Sequence, residues 1–439
     1  MLSRTLKVFC LLLPCLLSCH KAGKQELMVQ ETKIEGSWTG GEFTISLQAS
    51  MPWDAHVRVS SGNGDWISFL SGSTGLETDK TMVVRLQENP GHDREATLTI
   101  TLTGTFEFKQ VHIWQEGYLD EDMTDELDPE VVTSWLRQNP RWGRITRNDL
   151  LTCKSLSLFD LSPSTTFQGM HLFPALKQLN LHRCHLADAD FGEMPGLQSL
   201  SFHSCTLERL DLSGNTALSG LFFMDTSLKT LDVRQNAALR VVEFGFSSSY
   251  PDIEQVLLGP GTESFYADHA SNLKVLDCSL ADKLDFLSIN NCGVQRLDLK
   301  KTRLTTLDFR WVALDELLLP PGLKTLSIDH CTGSLPRLDF GEAIQQIAIS
   351  DTSIAELDFG NSTPTSLNCG YNQLTHLDFS HTSIPSSLTY FYFPGNPGKD
   401  GVFEIRVSPA DFPSFQATYE GRDWKIDDRT IITHIVSCP

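Results

Sequence analysis

Leu207-Glu-Arg-Leu-Asp-Leu-Ser-Gly-Asn215, Leu228-Lys-Thr-Leu-Asp-Val-Arg-Gln-Asn236 and Leu323-Lys-Thr-Leu-Ser-Ile-Asp-His-Cys331 are one line written three times. The line recurs from about Cys153 to Asn396, and Ser366-Leu-Asn-Cys-Gly-Tyr-Asn372 is followed at once by Leu374-Thr-His-Leu-Asp-Phe379. Two lines make a turn of roughly 21 residues, a period that belongs to stacked repeats rather than to a globular core. One set of lines begins near Cys153, Leu176, Leu197, Leu218, Leu239, Thr262, Leu284, Leu304, Leu323, Ile344, Pro364 and Leu388; an alternate set includes Leu207, Leu228, Ile253, Leu273, Val294, Leu314, Leu335, Ile354 and Leu374. Side chains alternate faces along a strand, so positions four and six of each line point inward together. In the first set these are Leu179/Leu181, Leu200/Phe202, Leu326/Ile328 and Leu367/Cys369.

The pattern L-x-x-L-x-L-x-x-N/C/T resembles the leucine-rich repeat, most closely its internalin-like variety of about 21 residues. Position nine, in the following turn, is Cys184, Cys205, Cys292 and Cys331, as in internalin-like variants with a cysteine ladder. The resemblance implies a solenoid over 153–400, with buried thiols at that position. Ahead of it, Asp128-Pro129-Glu130 reads as a helix start, with Val131, Val132, Trp135 and Leu136 on one face and Asn139-Pro140 as the stop. Thr146-Arg-Asn-Asp149 has the form of a second capping box. Residues 119–152 are therefore expected to be a linker and helical cap over the first coil. Phe403-Glu-Ile-Arg-Val407, Ser408-Pro409-Ala-Asp411 and Trp424-Lys-Ile426 resemble the segment that closes bacterial leucine-rich-repeat proteins, which sets a C-terminal cap at 401–439. Pro413 is expected to hold the helix there to a turn or two.

At the other end, Arg4 and Lys7 precede the apolar run Val8 to Leu17, which closes on Leu16-Leu17-Ser18-Cys19. The run is too short for a membrane span and has the layout of a secretory signal over 1–18. Its end resembles a bacterial lipobox, which implies acylation of Cys19 and anchoring in the bacterial envelope, on the outer membrane, with 19–32 as a polar tether. From Lys33 to Tyr118 the period falls to two, in Phe43-Thr-Ile-Ser-Leu47, Ala55-His-Val-Arg-Val59, Met82-Val-Val-Arg-Leu86, Ala96 to Leu102 and Val111-His-Ile113. Short strands spaced like these indicate an immunoglobulin-like β-sandwich over 33–118. Asp65-Trp66-Ile67, Glu88-Asn-Pro90, Arg94 and Trp114-Gln115 resemble markers of the BACON domain. That family implies carbohydrate binding or a spacer, with Trp53, Trp66 and Trp114 able to stack on a sugar if exposed.

The chain is mostly β by this reading, and its chemistry is expected at a surface. The formal net charge of −20 argues against nucleic acid. Cysteines occur singly rather than in C-x-x-C pairs, so no zinc site is indicated. His182-Arg-Cys184, His203-Ser-Cys205 and Asp329-His330-Cys331 look like nucleophile–base pairs, but position seven faces out while position nine turns in. No catalytic residue, metal or cofactor is expected, and the recurrent Leu-Asp pairs read as a solvated face. The expected site is the outward side of the first set of lines: Phe222 and Met224, Tyr266 and His269, Arg310 and Trp311, Tyr371, and Tyr392. Aromatics with arginine are the composition of binding hot spots, and aromatics also stack on sugars. A monomer binding a protein or glycan ligand follows. The competing expectation is a carbohydrate-binding accessory of a polysaccharide- or mucin-utilisation system, acting through the sandwich.

Overall fold

The computed structural model describes residues 26–62, 64–139, 143–245, 252–382, 388–421 and 430–434. The export segment with Cys19, and Trp424-Lys-Ile426, lie outside them. The described residues divide into two compact units, one holding those from Glu26 to Asp125 together with 143–151, the other holding 126–139 and the described residues from Thr152 on.

The first unit is a pair of sheets around a shared core. Leu27–Val29, Gly41–Ala49, Thr81–Leu86 and Ile67–Phe69 pair antiparallel in one. Lys33–Gly36, Phe108–Gln115, Arg94–Leu102, Trp53–Val59 and Thr74–Gly75 form the other, with the first two parallel. Alternation buries Ile45, Leu47, Val84, Leu98, Ile100, Val111 and Ile113 between them. The tether is shorter than its polar composition implies: Leu27 is buried, and Leu27–Val29 pairs with Leu47–Ala49. The residues that carry the BACON resemblance converge on one structural network. Buried Gln115 donates through Nε2 to the Ser37 and Gln87 carbonyls at 3.0 and 2.8 Å and accepts from Arg94 Nε at 2.9 Å. The Arg94 guanidinium lies 4.5 Å over the buried Trp66 ring. Asn89 Nδ2 donates to the His92 and Glu116 carbonyls. Thr146 and Asp149 do form a reciprocal capping box, but residues 143–151 are held by this first unit, through Met123 N–H to the Ile145 carbonyl and the Arg147–Glu121 ion pair.

The second unit is a parallel β-solenoid. Twelve strands, from Ser155–Phe159 to Tyr390–Tyr392, form one continuous parallel sheet. Its register is that of the lines: Leu179 pairs with Leu200 and Leu200 with Leu221, at 21-residue steps. Leu179, Leu181, Leu200, Phe202, Leu326 and Ile328 are all sealed from solvent, as positions four and six demand. Phe202, Phe223 and Phe244 stack coil on coil at 5.3 and 4.6 Å. The alternate lines make short parallel strands on the other face, such as Thr230–Asp232, Gln255–Leu257 and Val275–Asp277.

Position nine closes each turn. Cys184, Cys205, Cys292 and Cys331 are buried free thiols there, and Asn372 and Asn396 occupy the same place farther on. Asn372 Nδ2 donates to the Ile349 and Cys369 carbonyls at 2.9 and 2.8 Å. The Asp of the Leu-Asp pairs is exposed or half-buried, but it is not idle: Asp211, Asp232, Asp277, Asp298, Asp358 and Asp378 each accept the N–H two residues on, as does Asp190 after Ala189. These Asx turns steer the chain off each short strand.

Helix α1 (Pro129–Gln138) caps the first coil. Asp128 accepts from Glu130 N–H, Pro129 stands at N1, and Val131 and Trp135 are buried. The Ser162 and Thr165 hydroxyls and the Ser162 N–H donate to the Glu130 carboxylate, which lowers its pKa. At the far end Phe403–Val407 extends the second face, parallel to His376–Phe379. The helix that follows, Phe412–Gly421, runs ten residues. It is longer than Pro413 implies because it starts at Phe412, so the proline falls in the first turn, where no donor is missed.

Candidate ligand-binding face

Outward positions of the long sheet are three, five and seven of each line, with position eight at the start of the turn. Among the described residues, position eight has left-handed backbone. Asp160, Arg183, Ser204, Asp225, His269, Asn291, Trp311, His330, Asp351 and Tyr371 all have φ between 49° and 60°. The N–H of Asp160, Arg183, Ser204, Asp225, His269, Asn291, Trp311, His330 and Tyr371 continues the ladder past the strand end, as in Trp311 to the Asp329 carbonyl at 3.0 Å and His330 to Ser350 at 3.1 Å. Left-handed backbone suits Asn, Asp and Gly, and costs other residues roughly 1–2 kcal/mol. Arg183, His269, Trp311, His330 and Tyr371 meet that cost in this column, with Trp311 57% and Tyr371 52% exposed.

The expected site residues all lie on this face but do not form one pocket. Phe222 and Tyr266 occupy the same column, two strands apart, with Glu243 between them in register. The Phe222 ring edge reaches over Gly220, where a Cβ would stand 2.8 Å from it, and Phe222 is half-buried. Tyr266 packs on Phe286 at 4.9 Å, and His269 Nδ1 is 2.7 Å from Asp268. Arg310 and Trp311 are adjacent, with Arg310 Nε 3.5 Å from Asp308 and the Trp311 ring stacked on His330 at 4.2 Å. Tyr392 donates to the Tyr371 hydroxyl at 3.4 Å, and this bond raises the Tyr392 pKa. Eight strand steps of ~4.8 Å put Phe222 and Tyr392 about 38 Å apart. The result is an elongated surface with three aromatic groups, not a cavity.

The face also includes residues outside the expected set. His330 sits in the same column as Trp311, and Tyr390 is 49% exposed beside Tyr392. Phe159, His182 and His203 stack at 4.6 Å spacing in the position-seven column. Treating each outward position as a column down the sheet brings them out.

The histidines and cysteines of this face do not assemble into nucleophile–base pairs. Cys184 Sγ and Cys205 Sγ each lie 3.4 Å from the carbonyls of His182 and His203, while the rings turn outward. Cys205 has its thiol pushed up by Cys184 and by burial. His182 is lowered by burial, then by His203 and Arg183. Stacked parallel rings direct their nitrogen lone pairs side by side, so these two histidines do not converge on a metal. Asp329, His330 and Asp351 offer ligand atoms within 4.8 Å of one another. A polar groove of about 410 Å3 lies beside the sheet, lined by Gln198, Ser219, Arg240, Gly261, Glu263 and Lys283. Trp53 and Trp66 of the first unit are core residues with 2% exposure, and Trp114 is half-buried.

No protein-family model and no curated protein matches the chain. Among solved structures, the leucine-rich repeat domain of APL1B is 16% identical, over 60% of this chain and 80% of that one, at a TM-score of 0.40. The functional domain of InlJ from Listeria monocytogenes, which includes a cysteine ladder, is 17% identical over 66% and 76%, at 0.28. A Bacteroides ovatus GH5 xyloglucanase in complex with a XXXG heptasaccharide is 11% identical over 46% and 55%, at 0.20. The chain is distantly similar in structure to leucine-rich-repeat domains; no activity or ligand follows from likeness at this level.

Proposed function

We propose that this protein is a non-catalytic recognition scaffold that holds a protein or glycan ligand on the outward face of its long sheet. The observation that carries the reading is the position-eight column, where bulky Trp311, His330 and Tyr371 stand on left-handed backbone that Asn or Gly would adopt more cheaply. Packing does not require these side chains, so binding is their best account. The test is a pull-down with the full chain, wild type against Trp311→Ala/Tyr371→Ala. Loss of captured partners in the variant supports the face; equal capture overturns it.

The same reading puts the protein on a bacterial envelope, tethered through an acylated Cys19, with Leu16-Leu17-Ser18-Cys19 as its basis. No helix among the described residues is long and apolar enough to cross a membrane. Two or more acyl chains hold a protein stably where one does not. Cys19→Ala is expected to move the protein from the membrane to the soluble fraction. The sandwich takes the part of a spacer, because Trp53 and Trp66 are sealed in its core and unavailable to a sugar.

A further inference from the structure

The face is not neutral, and its charge names a partner. From strand Gly220–Met224 onward, the described outward positions carry Asp225, Glu243, Asp268, Asp308, Asp329 and Asp351 against one arginine, Arg310. The rim at position two is balanced, with Arg240 and Lys324 offset by Glu263 and Asp285. The Asp308 side chain is 28% exposed, and its buried Oδ1 is paired with Arg310 Nε at 3.5 Å. Interleaved with these acids are the exposed rings of Tyr266, Trp311, Tyr371 and Tyr390. Carboxylates accept charge-assisted hydrogen bonds from guanidinium, and ring faces attract cations.

Resting on the recognition reading above, we propose that the long sheet binds an extended, arginine- or lysine-rich segment of a partner protein laid along the solenoid axis. The dimensions suit it: the ~38 Å from Phe222 to Tyr392 is spanned by roughly 12 extended residues. Asp308, Asp329 and Asp351 lie on three neighbouring strands or the turn just beyond, beside the Trp311–His330 stack. They are the centre of the binding surface.

The test measures fluorescence anisotropy of a labelled 12-residue peptide alternating arginine and serine, against the same peptide with neutral citrulline for arginine. The full chain is compared with Asp308→Asn/Asp329→Asn/Asp351→Asn, in which Asn keeps the side-chain shape and tolerates left-handed backbone. A second variant, Asp190→Asn/Asp211→Asn/Asp298→Asn, changes the net charge equally on the other face. The proposal expects affinity about tenfold weaker for the citrulline peptide and for the sheet-face variant, with the other variant within about twofold of wild type. Equal weakening by both variants, equal binding of both peptides, or no binding at all overturns it. Capture of a neutral oligosaccharide that depends on Trp311 and not on these aspartates overturns the cationic partner while leaving the recognition face standing; equal pull-down by the Trp311/Tyr371 variant removes both.

Discussion

Trp311 sets two energies against each other. Its left-handed backbone costs roughly 1–2 kcal/mol, and its stack on His330 returns about 0.5–1.5 kcal/mol. The two nearly cancel, so Trp311→Gly is expected to leave the unfolding free energy within about 1 kcal/mol of wild type while abolishing Trp311-dependent capture. Leu307, four residues earlier and fully buried, is the contrast: Leu307→Ala is expected to cost about 2–5 kcal/mol. Urea titration of the two variants separates a residue kept for binding from one kept for packing. A loss of several kcal/mol in Trp311→Gly would make the tryptophan structural and remove the main support for the face.

The position-nine column is the element that turns each coil, and its thiols bear on stability at alkaline pH. Burial pushes Cys331 up to about 11 and Cys292 up to about 12, from an ordinary thiol value of 9.0. A group whose pKa is raised by folding contributes its full stability below the unfolded value and loses it as pH climbs through the folded one. Stability is therefore expected to fall from about pH 9 up to about 11 on account of Cys331 and up to about 12 on account of Cys292. Thr226 and Thr352 fill the same position in other coils, so Cys292→Thr/Cys331→Thr is accommodated and should flatten that part of the profile. Urea midpoints at pH 8 and 10.5 for both proteins give the answer, and a parallel fall in each would assign the pH dependence to other groups. The same column shows how much the letters alone disclose. Leucine at positions one, four and six and cysteine or asparagine at nine are fixed by the core, so the lines Leu176 to Leu388 foretell the strands of the long sheet. Position eight varies from Asp to Trp, since its constraint is a backbone angle and not a side-chain type, and it has no signature in the letters. The Leu-Asp pairs are visible yet read as mere solvation, because an exposed aspartate and an Asx-turn aspartate look alike until the N–H two residues on is placed. Leu27–Val29 is hidden by the polar residues around it, its partner strand being the one feature that makes it a strand.

At the scale of the molecule, the solenoid's order is nearest-neighbour order, and that can be tested by removing a coil. Leu200–Gly220 is one full period: Ser199 pairs with Gly220 and Leu200 with Leu221, so joining Ser199 to Leu221 keeps every later residue in register. Phe223 then takes the place of Phe202 in the core stack, and Thr226 comes under Cys184 where Cys205 was. Asn215 donates to the Phe191 and Met194 carbonyls; its replacement is Asn236, which in the intact chain makes the equivalent pair of bonds to Leu212 and Asn215. Every interaction the deletion removes has a successor of the same kind, as expected where a coil meets only its neighbours. The shortened chain is therefore expected to fold with unchanged ellipticity per residue and a denaturant slope reduced in proportion to the missing surface. The stretch from Trp311 to Tyr392 is more than three coils away, so capture of the partner should persist. A chain that aggregates, or that folds but loses capture, would show that the coils act as one indivisible body and that the face is built by more than the residues on it.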